Sequence, residues 1–271
     1  MVIKDEKMTL VHVSEINTVI FETPAVSVTG VLLSELAKNK VCILFCDEKH
    51  LPQGQYVPFS SHYMSSSHIL EQAEWGEELK ALVWEKIVRQ KIERQSDVLL
   101  HYGKKDECKM LRFYIDEIVN GDCTNREGFA AKVYFNALFD SVFSRKDSDN
   151  AYNACLDYGY AILLGIVSRE VVKSGYSLAI GIHHHNIFNS NNLACDVMEP
   201  FRPIVDCIVY TNFNGYLDAE MKKRLWNLAN TEVVINGKNS FLVNAVADFF
   251  RDVCIHMDHC EGKLLEYEFK W

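Results

Sequence analysis

The hydrophobic positions change their period near residue 60. Before that point they come in short runs. Thr9–Val13 and Asn17–Glu22 are strand-length segments carrying Val, Ile and Thr. Val41–Cys46, VCILFC, is a continuous apolar run, as expected of a strand buried on both faces. Between them, Leu32, Leu33, Leu36 and Ala37 fall at helical spacing within Ser27–Asn39. LPQGQYVPF then interrupts the pattern with two prolines and a glycine, and with SSHYMSSSH it reads as a linker.

From about His68 onward the period is helical. His68–Gln95 is long and amphipathic, with Leu79, Leu82, Val83, Ile87 and Ile92 on one face. Further helices are predicted near Glu107–Val119, Glu127–Ser144, Asp149–Ser174, Asp218–Asn230 and Ser240–Cys260. The fold class is therefore α+β. A small N-terminal β-strand domain over 1–60 leads through a linker, 61–68, to a larger all-α domain over 69–271.

Composition narrows the setting. A chain of 271 residues, 48% hydrophobic, can bury a sizeable core. Its longest apolar runs, such as Ala161–Val167, fall well short of the roughly 18 residues of a membrane span, so no membrane association is expected. MVIKDEKMTL carries acids and no long apolar core, unlike a signal peptide. The nine cysteines, an odd number in apolar contexts, read as buried thiols in a reducing cytoplasm.

The net charge of −9 argues against nucleic acid as a partner, but the charge is uneven. From Lys80 to Arg112, nine Lys and Arg stand against five acids, so that window is +4 and the remainder −13. A basic helix on an acidic body suits a surface that follows phosphates. The plainer reading of such a window is a solvated helix face.

Candidate chemistry lies in GIHHHNIFNSNNLACDVMEPFRPIVD, Gly181 to Asp206. Asp196 and Glu199 are spaced i, i+3, which puts both carboxylates on one side of a helix. Their neighbours Leu193, Ala194, Val197, Met198 and Phe201 are apolar, so this helix is packed. Glu199 precedes Pro200, which predicts a departure from the α region, with a kink or the start of a helix there. His183, His184 and His185 sit in an asparagine-rich loop that could fold back beside Glu199. A histidine run alone reads as surface or core packing, whereas the two following carboxylates weigh equally for a metal. Imidazole with carboxylates suits Mg²⁺ or Mn²⁺, and imidazole also suits zinc. A second cluster, Cys254, His256, His259 and Cys260 in CIHMDHC, spreads around one helix and is not expected to surround an ion.

Four blocks, in order, carry a resemblance. GIHHHNIFNSNNLACDVMEPFRPIVD is similar to the central signature of the CRISPR-associated integrase family, the "Cas one" family. REGFAAKVYFNALF (Arg126–Phe139) and NACLDYGYAILLGIVSREVVKSGY (Asn153–Tyr176) resemble two further segments of that family. CDEKHLPQGQY (Cys46–Tyr56) is similar to the end of the N-terminal domain in its type II subgroup. The resemblance implies a β-strand domain followed by a helical catalytic domain. It implies a homodimer that binds double-stranded DNA and a small ferredoxin-like partner, "Cas two". It implies insertion of short foreign duplexes as new spacers into a CRISPR array.

Matched by motif, the implied metal ligands and catalytic residues are Glu127, His184 and Glu199. Asp196, His183, His185 and Arg202 are additional candidates, Arg202 as a group that orients an acid. Lys86, Arg89, Lys91, Arg94, Lys104, Lys105 and Arg112 are the candidates for phosphate contacts. The start, MVIKDEKMTLVHVSEI, resembles the middle of the family's β domain, so that domain is expected to be shortened at its beginning.

The implied reaction is transesterification at phosphorus, in which a DNA 3′-hydroxyl attacks a phosphodiester. Such chemistry needs positioning and charge neutralisation, and no protein nucleophile. A divalent ion would act as Lewis acid and template. Two rivals share the fold: a metal-dependent nuclease or transposase-like enzyme of another role, and a non-catalytic scaffold on DNA.

Overall fold

The structure, a computed structural model, describes residues 2–4, 8–56, 58, 62–147, 149–258 and 263–271. Strands β1 (Val2–Lys4) and β2 (Met8–Leu10) form an antiparallel pair. β3 (Thr18–Phe21) leads through α1 (Gly30–Lys38) to β4 (Cys42–Cys46) and β5 (Pro52–Tyr56). These three strands make a sheet in the order β3-β4-β5, parallel in the first pair and antiparallel in the second.

The apolar run VCILFC is explained by two buried faces. Side chains alternate across a strand. Val41 and Ile43 turn to a small core with Leu36 of α1, while Cys42 and Leu44 join the main core. Gly165, on a helix of that core, is where the two layers touch. A methyl group there would lie 2.9 Å from Leu44 Cδ2, and Cys42 Sγ donates to the Gly165 carbonyl at 3.3 Å. β5 falls inside the stretch expected to be a linker: LPQGQY pairs with β4 despite its proline and glycine, which an edge strand tolerates.

The single helix expected over His68–Gln95 is two, α2 (Ser65–Ala73) and α3 (Glu77–His101), separated at Trp75 and Gly76. Then follow α4 (Lys105–Asp116), α5 (Arg126–Leu138), α6 (Ala151–Lys173), α7 (Asn192–Met198), α8 (Arg202–Asn212), α9 (Ala219–Trp226) and α10 (Leu242–Asp258). Two of them form the interior. α6 buries fourteen of its 23 residues and α3 twelve of its 25, more than a one-sided stripe accounts for. Burial all round explains why α3 carries interior Gln90, Lys91, Arg94, Gln95 and Ser96, and why its expected stripe is inexact, Leu82 being exposed. None of the described helices is long and apolar enough to cross a membrane.

The α+β class stands, with a small β region before a mostly helical one. The helical part nevertheless contains a three-stranded sheet, β7-β6-β8, built from Glu232–Ile235 (β6), Lys238–Phe241 (β7) and Tyr267–Phe269 (β8). The β6–β7 hairpin turns on Asn236 and Gly237, both at positive φ, the signature of a tight two-residue hairpin. This sheet braces the centre of the molecule. The Tyr267 hydroxyl donates to the Pro200 carbonyl at 2.9 Å, and its ring stacks on Phe201 with centroids 5.0 Å apart.

Candidate active site

Three segments converge near the middle of α3. The first is the loop after α6. The carboxylate of Asp196, fully buried on α7, gathers that loop. It accepts from the backbone N–H of Ile182 (2.6 Å), His183 (3.1 Å) and His184 (3.0 Å), and from His184 Nδ1 (2.6 Å). Gly181 is required for this approach, because a methyl group there would lie 2.8 Å from Asp196 Oδ2 and collide with the His184 carbonyl. Gln72 of α2 and Asn192 of α7 tie down the flanks, donating to the carbonyls of Ser177, Ile180, Ala179 and Asn186.

Asp196 therefore spends its oxygens on the chain itself and is not a free ligand, which corrects its place among the metal candidates. Its bond fixes the His184 tautomer: Nδ1 donates, and Nε2 is left with a lone pair. That hydrogen bond raises the His184 pKa against the effect of burial, with the charges of Asp196, Glu199 and Glu127 adding to the rise. His183 stacks flat on Trp84 of α3, with centroids 4.2 Å apart, and burial lowers its pKa. The exposed ring of His185 bonds through Nδ1 to the His183 carbonyl at 2.8 Å. The three histidines thus have three different settings.

The second segment is the start of α5. Asn125, at φ 54°, caps the helix by accepting from Gly128, and Asp122 accepts from the N–H groups of Arg126 (2.6 Å) and Glu127 (2.9 Å). Glu127 thus stands in a doubly capped first turn, where the helix dipole favours a carboxylate.

The third segment is the turn at Glu199–Phe201, between α7 and α8. The expectation that Pro200 drives Glu199 out of the α region is not met: Glu199 has φ −54° and ψ −45°. The chain instead tightens into a 3₁₀ turn. Pro200 and Pro203 each sit in the first turn of a new helical segment, where their missing N–H costs nothing. The result is a buried carboxylate in a stiff turn.

A lysine joins the second and third segments. Lys91 Nζ, buried on α3, lies 2.5 Å from Glu127 Oε1 and 2.5 Å from Glu199 Oε2. Arg202 Nε donates to the other Glu199 oxygen at 2.9 Å, the pairing expected of it, and stacks over Tyr160. Burial alone would raise the Glu199 pKa, but Arg202 and Lys91 outweigh it and hold it at about 2. Burial likewise disfavours the ammonium of Lys91, and Glu199 and Glu127 overcome that and raise its pKa. Glu199 Oε2 makes a charge contact with Lys91 but accepts no hydrogen bond in good geometry.

Among the described residues, no three His, Cys, Asp or Glu side chains already stand as a chelating cluster. The donors nonetheless suit a divalent ion. Two carboxylates from separate elements converge on one cation, one of their buried oxygens lacks a hydrogen bond, and the neighbouring histidine has Nε2 unclaimed by Asp196. The CIHMDHC cluster is only partly described. His256 is buried against the Asp252 carbonyl, and His259 and Cys260 lie outside the described residues.

The basic window needs a larger correction. Lys91 and Arg94 are buried, and Arg94 is committed to the Tyr267 carbonyl and Asp97. Arg89 donates to the Ile115 carbonyl and pairs with Glu85, and Lys86 is half-buried. No phosphate-following stripe runs along α3, because α3 is interior. Lys105 and Arg112 are exposed on α4, with Lys104 half-buried at its cap. Trp84, Asp122 and Asn125 were missed by sequence reasoning, and Lys91 was given another role, that of a phosphate contact. The Asp five residues and the Asn two residues ahead of Glu127 were a legible capping signal. Nothing in the sequence marked Lys91 as interior.

Comparison with known proteins gives the chain its family. The family model described as CRISPR associated protein Cas1 matches residues 1–224. The CRISPR-associated endonuclease Cas1 of Neisseria meningitidis is 38% identical over 212 residues, covering 78% of this chain and 69% of that one. A Cas1 endonuclease of Francisella tularensis is 23% identical over 226 residues, covering 74% of this chain and 70% of its own length. Among solved structures, a casposase bound to integration product superposes with a TM-score of 0.74 at 19% identity, covering 92% of this chain and 80% of that one. A Cas1 protein from Thermotoga maritima superposes at 0.73 and 18% identity, covering 96% and 92%. By the match over residues 1–224, this chain belongs to the Cas1 family of CRISPR-associated proteins.

Proposed function

We propose that the chain is a divalent-metal-dependent DNA endonuclease and integrase that inserts short foreign duplexes as spacers into a CRISPR array. The observation that carries this reading is the convergence of Glu127 and Glu199 on a single cation beside the oriented His184. Glu127, Glu199 and His184 Nε2 would hold Mg²⁺ or Mn²⁺. When bound, such an ion supplies Lewis acidity toward a phosphodiester and its leaving oxygen.

The remaining work belongs to the chain. Asp196 holds His184 in the tautomer with Nε2 available, Arg202 keeps Glu199 ionised, and the cap at Asn125 and Asp122 fixes the direction of Glu127. A cleft lined by Lys80, Trp84, Gly121 and His183–His185 opens beside the loop and would admit DNA. The attacking group is a DNA 3′-hydroxyl, which breaks one phosphodiester as it forms another. Exposed Lys105 and Arg112 serve as phosphate contacts.

The same reading includes a homodimer, a small ferredoxin-like Cas2 partner and the type II subgroup. It also keeps the division into a β domain over 1–60, a linker over 61–68 and a catalytic domain over 69–271. The superposition on a Cas6-RT-Cas1–Cas2 complex, TM-score 0.72, supports the partner.

The superposition on a casposase favours one second reading, a transposase-like enzyme of another role on this fold. One experiment separates them: transfer of a short duplex into supercoiled plasmid, with and without a CRISPR repeat and the Cas2 partner. Metal-dependent insertion at the repeat is the expected outcome. Insertion indifferent to the repeat supports the second reading, and full activity in chelator overturns both.

A further inference from the structure

The proposed chemistry does not use Lys91, although it stands at the centre of the charges. Its ammonium reaches the middle of the site from the interior of α3, with the side chain 9% exposed. It touches one oxygen of Glu127 and one of Glu199, each at 2.5 Å. These carboxylates come from elements 72 positions apart in the chain, and at low dielectric two like charges so placed repel strongly unless a cation stands between them. Lys91 is that cation.

A divalent ion held by Glu127 and Glu199 would need the space that this ammonium occupies. Two details suit an exchange. Toward Glu199, whose Oε2 accepts no hydrogen bond in good geometry, a departing ammonium forfeits a charge contact that an ion replaces in kind, while toward Glu127 it also gives up a hydrogen bond. Arg202 grips the other oxygen, Oε1, and keeps Glu199 in place while its partner changes. Lysine suits the part, being a point charge on a flexible four-carbon stem.

Resting on the metal reading above, we propose that Lys91 is the resident cation of the Glu127–Glu199 pair. It holds the carboxylates together when no divalent ion is bound, competes with the ion for them, and withdraws its ammonium when the ion enters. Lys91 is thus a positioning residue that sets metal affinity, and not a surface contact to DNA phosphate.

The test is calorimetric titration of the full chain with Mn²⁺, comparing wild type with Lys91→Met. The variant is expected to bind Mn²⁺ on the order of tenfold or more tightly, because a competing unit charge at contact distance is gone. Without metal it should melt lower than wild type, and saturating Mn²⁺ should close the gap. Unchanged or weaker Mn²⁺ binding by Lys91→Met overturns the proposal.

A second measurement needs only wild type. Labelling with an amine-reactive reagent, read by mass spectrometry, should rise at Lys91 with Mn²⁺ and fall back with chelator. Labelling indifferent to saturating Mn²⁺ also overturns the proposal. The two levels of inference fail differently. Mn²⁺ binding indifferent to Glu127→Gln removes the metal reading and this one with it. Binding that needs Glu127 but ignores Lys91→Met removes only the role of Lys91.

Discussion

The loop held by Asp196 and the pocket around Glu199 lie next to each other and are built on opposite plans. In the loop, one buried carboxylate meets four N–H donors, three of them backbone. Its hydrogen-bonding capacity is filled, and the donors cannot leave without unfolding the loop. In the pocket, two carboxylates are held by two side-chain cations, and one buried oxygen lacks a good hydrogen bond. Backbone donors make a fixed part, whereas side-chain cations make a part whose occupant can change. A site that must keep a histidine oriented while admitting an ion needs both.

The largest effect should come from the groups assigned to the ion. Glu127→Ala, His184→Ala and Glu199→Ala should each lower strand transfer by roughly a thousandfold or more, the scale of losing a main source of transition-state charge stabilisation. Folding and DNA binding, followed by circular dichroism and gel shift, should persist. A Glu127→Ala protein of full activity would remove Glu127 from the site.

Next comes the loop. Asp196→Ala leaves three backbone N–H groups, that of Ile182 buried and those of His183 and His184 half-buried, without their acceptor and should cost about 3 kcal/mol in urea unfolding. Asp196→Asn, which retains one acceptor oxygen, should cost less yet weaken Mn²⁺ binding by about 10–100-fold through the misdirected histidine. Equal stability of Asp196→Ala and wild type would refute the description of the loop as a fixed part.

The pocket should show itself in acid. The folded-state pKa of Glu199, about 2, lies below its ordinary 4.5, so its contribution to stability is complete above pH 4.5 and is lost as the pH falls toward 2. Urea titrations across that window should give a slope that Glu199→Gln flattens. Asp196→Asn, measured alongside, shows whether the slope belongs to the pocket or to the loop. The smallest effect concerns the surface outside both regions. Arg112→Ala or Lys105→Ala should weaken DNA binding modestly and lower the slope of log affinity against log salt by about one each. An unchanged slope would move the phosphate surface elsewhere.

Much of this was legible along the chain, for local reasons. VCILFC announced a strand buried twice, and Glu127, His184 and Glu199 were named from the motifs that carry them. The failures are equally particular. Asn236–Gly237 between VVI and KNSF is a strong hairpin signal that a helical expectation for the C-terminal region passed over. Pro200 was read as displacing Glu199 into a kink or opening a helical segment, and the second holds: a proline in the first turn of such a segment displaces nothing. The basic window was read as surface because charge usually is surface.

That last failure marks where sequence stops. By itself the sequence determined the order of elements, the family motif blocks and the identity of the acids and histidines. These depend on neighbours a few residues apart, through period, capping and turn chemistry. Only the tertiary structure decided that α3 is interior, that Asp196 belongs to the backbone, that His183 stacks on buried Trp84, and that Lys91 lies between Glu127 and Glu199. Each of those joins residues 12 or more positions apart. A charge becomes interior only when helices from elsewhere surround it and opposite charges offset its desolvation, and no local pattern records that packing.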